Sequence, residues 1–330
     1  MAKITNLQGH QDGRLSLRLG LVDTVVTQLA KAATELFKNH DARFCDRMVP
    51  YVLTSHNYCE GSLAIGRFGP YWRMLRRVCA AELLANKRIN ETVHIRHKCI
   101  DQRIWSIEDN LTAANKGESG KVKVAHYLFL MSFNLIGNLS LSKDLLDSKC
   151  KEGYEFFEAL DKISVWAGKP NTADFLPFLK WPDPQGLRRN MSRDMGRAKD
   201  IVAGFVKERM EEYELGKEKA NEDFLDVLLE YEGDGKEWNG KIPYKSIIII
   251  ILGQNFDLIP FGSGRRICVG MALAQRVVPF GLPSLVHNFE WDLDKDFTPK
   301  TLDMSERIGI SLRKLESLNL ICKKPPMKSN

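Results

Sequence analysis

The sequence has no long apolar run. The longest, the isoleucine-rich stretch at 247–252, is six residues, whereas a membrane helix needs about 20. Residues 1–20 carry Lys3, Asp12, Arg14 and Arg18 and no apolar core of a secretory leader. As written, the chain is expected not to span a bilayer and, lacking an anchor, to be cytosolic. Cysteine is scarce and unpaired: Cys45, Cys59, Cys79, Cys99, Cys150, Cys268 and Cys322, seven in 330 residues, with no C-x-x-C. That excludes a zinc ribbon and a thioredoxin-type dithiol, and the odd count argues against a disulfide framework. A reducing, cytosol-facing compartment fits. Charge of one sign is also missing: 48 basic residues face 42 acidic ones, net +6, so no nucleic-acid partner is called for. Glycine (24) and proline (13) lie far below collagen-like or low-complexity levels.

What is present is the composition of a packed domain, 44% hydrophobic and 27% charged. Apolar residues recur at three- and four-residue spacing through much of the chain. Helices are predicted over 22–39 (Asp23 as N-cap), 70–84 (opened by Pro70), 90–112, 122–139, 154–166, 187–215, 222–231 and 271–287. Residues 41–68 read as a long ordered loop with short helical turns. Residues 115–120 read as a polar linker. Pro170, Pro177, Pro182 and Pro184 make 169–185 a turn-rich connection. Strands are suggested at 15–21, 308–312 and 318–322. The predicted class is mainly α, a helical body with small β elements near both termini.

One segment carries chemistry: Phe261-x-x-Gly264-x-Arg266-x-Cys268-x-Gly270, directly before a predicted helix. A cysteine at a helix N-terminus beside Arg265 and Arg266 is favoured as the thiolate. A thiolate is a haem-iron ligand whose electron push favours O–O cleavage. The glycines allow sharp turns and close backbone approach. An arginine is suited to clamping a carboxylate, and Phe261 to shielding the sulfur. A phosphate loop would need G-x-G-x-x-G or G-x-x-x-x-G-K-[ST], and neither occurs here.

This segment resembles the haem-binding signature of the cytochrome P450 family, the haem-thiolate monooxygenases. Pro70-Tyr71-Trp72-Arg73-Met74-Leu75-Arg76-Arg77 is similar to the family's helix C, with a W-x-x-x-R pair at Trp72 and Arg76. Phe44-Cys45-Asp46-Arg47, Asp183-Pro184-Gln185-Gly186-Leu187-Arg188-Arg189 and Asp303-Met304-Ser305-Glu306-Arg307-Ile308-Gly309 resemble plant members. The branch resembled is that of geraniol 8-hydroxylase and the iridoid oxidases. The resemblance implies haem b with Cys268 as the axial ligand. Trp72, Arg76 and Arg266 would hold the propionates, and Phe261, Gly264 and Gly270 would shape the loop. It also implies electrons from NADPH through a reductase, a small lipophilic substrate and a place on the cytosolic face of the endoplasmic reticulum membrane. Arg73, Arg77, Lys87, Arg88 and Arg265 are candidates for the reductase-facing surface. The segments 48–65, around Trp166, and 308–311 resemble substrate-contacting regions.

The departures are equally specific. The family's membrane anchor and proline-rich hinge have no counterpart. No [AG]-G-x-[DE]-T-[TS] string occurs, and no glutamate has arginine three residues on. The family delivers protons with the first and locks its core with the second. One family domain with a large gap at about 252–256 is expected: 1–252 up to the start of the distal helix, then 253–330 with the cysteine loop, its helix and terminal strands. Without a distal wall, the haem is expected to be held weakly or not at all. The alternative is a non-catalytic product of a degraded or mis-spliced gene. His94-x-x-His97-x-Cys99 has metal-ligand spacing but reads as chance histidines on a surface helix. The sequons at Asn110, Asn138 and Asn190 fall in helical patterns and are discounted.

Overall fold

The computed structural model describes residues 14–27, 29–115, 119–146, 151–216, 223–233, 235, 238–253, 261, 264–294, 297–307 and 313–325. It begins with a hairpin, β1 (Arg14–Leu19) and β2 (Val22–Thr27), paired antiparallel with Leu19 opposite Val22. The helix predicted from residue 22 therefore starts later. Val22, Thr24, Val25, Val26 and Thr27 are β-branched and favour the strand. Only α1 (Ala30–Thr34) and a wider π turn over Glu35–Asn39 are helical there. The Leu21 N–H donates to Phe175 O at 2.9 Å and pins the hairpin tip.

The predicted loop at 41–68 holds α2 (Asp41–Phe44), a 3-10 stretch at Tyr51–Asn57 and α3 (Tyr58–Gly61). Helix α4 (Pro70–Val78) has Pro70 in its first turn, where no backbone donor is needed. α5 (Asn86–Glu91) and α6 (Val93–Asn115) replace the single helix predicted at 90–112. The linker at 115–120 ends in a strand, β3 (Ser119–Lys123). Next come α7 (Val124–Leu141), α8 (Lys151–Gly168) and the short α9 (Thr172–Phe175). α10 (Leu187–Glu214) buries Met191, Met195, Ala198, Val202 and Val206, one stripe at helical spacing. α11 (Phe224–Glu230) opens with a capping box from Asp223 and Asp226.

α12 (Tyr244–Gly253) carries the isoleucine run, and every residue from 247 to 252 is buried. α13 (Met271–Asn288) follows the cysteine loop. The chain closes with β4 (Glu290–Leu293), β5 (Glu306–Arg307), β6 (Arg313–Lys314) and β7 (Asn319–Lys323). β7 lies between β3 and β4, so a strand from mid-chain joins two from the end. The segment 308–312 lies outside the described residues. The fold is mainly α, with small antiparallel sheets, as its helical periodicity predicts.

The main core joins α4, α7, α8, α10, α11 and α12. A smaller one gathers Ile107, Leu111, Val122, Tyr127, Leu285, Phe289 and Cys322 beneath the three-stranded sheet. α7 is long and apolar enough to cross a membrane by composition, which the search for unbroken apolar runs did not reveal. Its middle is inside this core. Asn134 Nδ2 donates to Leu146 O at 3.1 Å and Asn134 Oδ1 accepts from the Leu146 N–H at 2.8 Å, both buried.

Candidate functional site

The cysteine loop is built from local turns. Gly264, Arg265 and Arg266 form a 3-10 turn in which Gly264 has φ +66°, a conformation that costs glycine little. The Ile267 N–H donates to Gly264 O at 3.1 Å, and the Cys268 N–H donates to Phe261 O at 2.7 Å. Cys268 is exposed, two residues before Gly270, the N-cap of α13. A Cβ added at Gly270 would lie 3.8 Å from Cys268 Sγ. Phe261, Gly264, Cys268 and Gly270 thus meet as one turn at a helix start.

Trp72 and Arg76 reach this turn from α4. Their spacing puts both on one helix face, and the Arg76 guanidinium lies 5.6 Å from the Trp72 ring centre. Arg76 Nη2 donates to Ile267 O at 2.6 Å, next to the cysteine. Burial lowers the Arg76 pKa, opposed by Cys268 and Cys79. Trp72 is buried and its Nε1–H donates to Leu63 O at 3.0 Å. Arg266 covers the same indole with its guanidinium 4.0 Å from the ring centre.

Arg266 is also tied to three backbone carbonyls. Nε donates to Cys45 O at 2.6 Å, Nη2 to Gly66 O at 2.7 Å and Nη1 to Leu63 O at 3.5 Å. These acceptors escape sequence reasoning because carbonyls leave no pattern. The sequence signals near them are Phe44-Cys45-Asp46-Arg47, which resembles plant members, and residues 48–65, which resemble a substrate-contacting segment. Here Arg47 Nη1 donates to Ala64 O at 2.8 Å. Asp46 accepts from the Phe68 N–H at 2.9 Å and from Arg67 Nη1 at 2.8 Å. The Phe68 N–H leads the interactions that hold the Asp46 carboxyl below its ordinary value.

Other singled-out residues lie apart from this turn. Asp183 accepts from the Arg188 and Arg189 N–H groups at 3.4 and 3.1 Å and caps the start of α10. Trp166 Nε1 donates to Asp194 Oδ2 at 2.8 Å. Cys99 is buried while His97 packs on Phe280, ring centres 4.5 Å apart, so that pair does not face one site. Several cations of the expected reductase-facing surface have acidic neighbours: Arg265 with Asp41 at 3.2 Å, Lys87 with Glu91 at 3.9 Å, and Arg88 with Glu82 at 3.9 Å. The substrate-like segment 308–311 is outside the described residues.

Comparison with known proteins bears on the family and the fold. The "Cytochrome P450" family model matches residues 2–252 and again 248–318. The chain is 35% identical to "Iridoid oxidase" of Catharanthus roseus over 93% of its length and 85% of the relative's. It is 32% identical to "Cytochrome P450 76A1" of Solanum melongena, covering 98% and 97%. With "Geraniol 8-hydroxylase" of Catharanthus roseus identity is 27%, over 93% and 86%. The iridoid oxidase alignment runs over 437 positions against 330 residues here, so more than a hundred of its positions face no residue of this chain. A zebrafish cytochrome P450 solved with progesterone superposes with TM-score 0.69 at 12% identity, covering 94% of this chain and 96% of that one, which supports the fold. The chain belongs to the cytochrome P450 family, whose members are oxidoreductases of the monooxygenase type, and to the plant branch of these relatives.

Proposed function

We propose that the protein is a haem-thiolate monooxygenase of a lipophilic, terpenoid-like plant metabolite, with Cys268 as the axial ligand of haem b. The observation that carries this is the hydrogen bond from Arg76 to Ile267 O, 191 residues apart in sequence and one residue from the cysteine. It brings a cation and an indole to the start of the helix that presents the sulfur. The residues present fit the group on this side: Cys268 offers an exposed thiol and Arg76 a guanidinium with one bond to Ile267 O, while the Trp72 N–H and the Arg266 nitrogens are donated to backbone carbonyls. When bound, haem supplies O2 activation and insertion of one oxygen atom, with electrons from NADPH through a cytochrome P450 reductase. The Phe261 carbonyl fixes the Cys268 backbone, the missing Cβ of Gly270 leaves the sulfur uncovered, and Arg76 and Trp72 would hold the propionates. The family pattern adds Arg266 to that pair.

The relatives named for iridoid and geraniol oxidation support the substrate class. The cytosolic face of the endoplasmic reticulum membrane is the location in keeping with the branch. The domain reading also stands as a proposal: one family domain interrupted near residue 252, where the two matched stretches meet.

A second reading is favoured by the far side of the site. α12 ends at Gly253, and neither the acid–alcohol string nor an E-x-x-R pair occurs anywhere in the chain. Water exclusion and proton delivery, which oxygen chemistry needs, then have no residues assigned to them. On that reading the chain is a non-catalytic family product. Incubation of haem-loaded protein with reductase, NADPH and monoterpenoid alcohols separates the two. A product carrying one added oxygen supports the monooxygenase. Haem bound without product supports the second reading.

A further inference from the structure

We propose that the cavity between Tyr51, the turn at 180–183 and the start of α10 binds a soluble aryl phosphate. Arg188 and Lys180 are its anion contacts, and Trp181 is its ring contact. The cavity holds about 360 Å³, within the range of small-molecule sites. None of its lining residues belongs to α4, α12, α13 or the cysteine loop, and nothing in the proposal depends on haem.

The positive charge here is uncompensated. Lys180 and Arg188 both lie over the Tyr51 ring, 5.6 and 4.8 Å from its centre, so two like charges share one small space. Arg189 adds a third at the rim, 3.7 Å from Asp183. The two nearby carboxylates are committed to backbone groups. Asp174 accepts from the Tyr51 N–H at 2.6 Å. Asp183 is buried and accepts from the Arg188 and Arg189 N–H groups at 3.4 and 3.1 Å. Among the described residues neither Lys180 nor Arg188 forms an ion pair, although Asp174 feels the charge of Lys180.

The frame is built to stay open. Tyr51 Oη donates to Lys180 O at 3.0 Å and fixes the ring against the turn. Pro182 and Pro184 flank Asp183, whose φ is +44°, so the turn is stiff. Arg188 Nε donates to Thr54 Oγ1 at 3.4 Å, while its Nη groups make no hydrogen bond among the described residues. A guanidinium fork of that kind matches a tetrahedral oxyanion. Trp181, beside these cations, is 94% exposed and offers its indole face to a flat ring. A neutral lipophile would leave the cations unmatched, and a bare anion would leave the indole uncovered. An aryl phosphate answers both.

The test is calorimetric titration of the full chain at low salt with 1-naphthyl phosphate, 1-naphthol and inorganic phosphate. Co-sedimentation with phosphatidylcholine vesicles containing phosphatidic acid runs beside it. Naphthyl phosphate should bind about tenfold more tightly than either control. Arg188→Gln should weaken it by about tenfold and Lys180→Gln by about threefold. Trp181→Ala should abolish the preference over inorganic phosphate. Lys207→Gln, on the same helix and 74% exposed, should bind as the parent does. Should Arg188→Gln fail to fold, Lys180→Gln and Trp181→Ala, both at exposed positions, still decide.

No binding of naphthyl phosphate by the parent overturns the proposal. So does equal affinity for naphthol, or binding that Lys180→Gln and Arg188→Gln leave unchanged. Binding to the vesicles without binding of any soluble phosphate also overturns it, and would make this cavity a contact with a lipid surface.

Discussion

Around Cys268 the contacts are polar and reach across the sequence; around α12 they are apolar and nearly continuous. The cysteine loop is fixed by Arg76 and Arg266 bonded to carbonyls, with an indole between them. α12 is fixed by an isoleucine run buried on all sides against α3, α10 and α11. At Gly61 the backbone of α3 comes so near that an added Cβ would lie 3.0 Å from Ile249 Cβ. Directional bonds specify one loop geometry, whereas an all-apolar helix specifies burial and little else. On the proposed reading, the cysteine loop is the half of the site that hydrogen bonds define, while the α12 side is apolar packing in a chain that has neither an [AG]-G-x-[DE]-T-[TS] string nor an E-x-x-R pair.

The contrast can be broken from either end. The largest effect is expected at the salt-bridged corner that supports α12 through α11. Arg209 donates to Asp223 at 2.9 Å and to Asp226 at 2.6 Å, and Tyr213 Oη donates to Asp226 at 2.6 Å. Asp226→Ala strands buried partners and should cost about 3–5 kcal/mol in urea unfolding. Burial pushes the Asp226 carboxyl up, but the Tyr213 and Arg209 bonds and the Asp223 N–H outweigh it, so its folded pKa lies below the unfolded one. Its contribution is therefore fully present above about pH 4 and lost as pH falls through the lowered folded value. The parent should lose stability in acid more steeply than the variant. Equal acid slopes would contradict this.

Ile249→Ala comes next, at about 2–4 kcal/mol from a cavity in a fully packed helix, with no change in amide hydrogen exchange of the Cys268 loop. Loosening at both places would merge the two regions into one cooperative unit. Trp72→Phe should have the smallest effect, about 1 kcal/mol, for the loss of the Nε1–H bond to Leu63 O. That variant keeps a ring under Arg266, so amide hydrogen exchange in the cysteine loop should stay near that of the parent.

The helices were legible because burial imposes a 3.6-residue period, and α10 shows it from Leu187 to Val206. The hairpin at 22–27 was misread because its valines continue into the apolar positions of α1, giving a helical spacing over two different structures. β3 was hidden because its partner β7 lies at the other end of the chain. At the site, Cys268, Trp72 and Arg76 were visible as residue types at characteristic spacings. The wall that Arg266 grips was not, since Cys45 O, Leu63 O and Gly66 O are backbone groups. Asp46 and Arg47, whose side chains brace that wall, lie in a string that the sequence did single out.

The most direct measurement is a reduced carbon-monoxide difference spectrum, taken across a haem titration of the cofactor-free chain beside Cys268→Ser. The account predicts weak uptake that still gives, at saturating haem, the red-shifted Soret band of thiolate ligation, absent from the variant. No haem uptake, or a parent spectrum of neutral-thiol or histidine ligation, would contradict it.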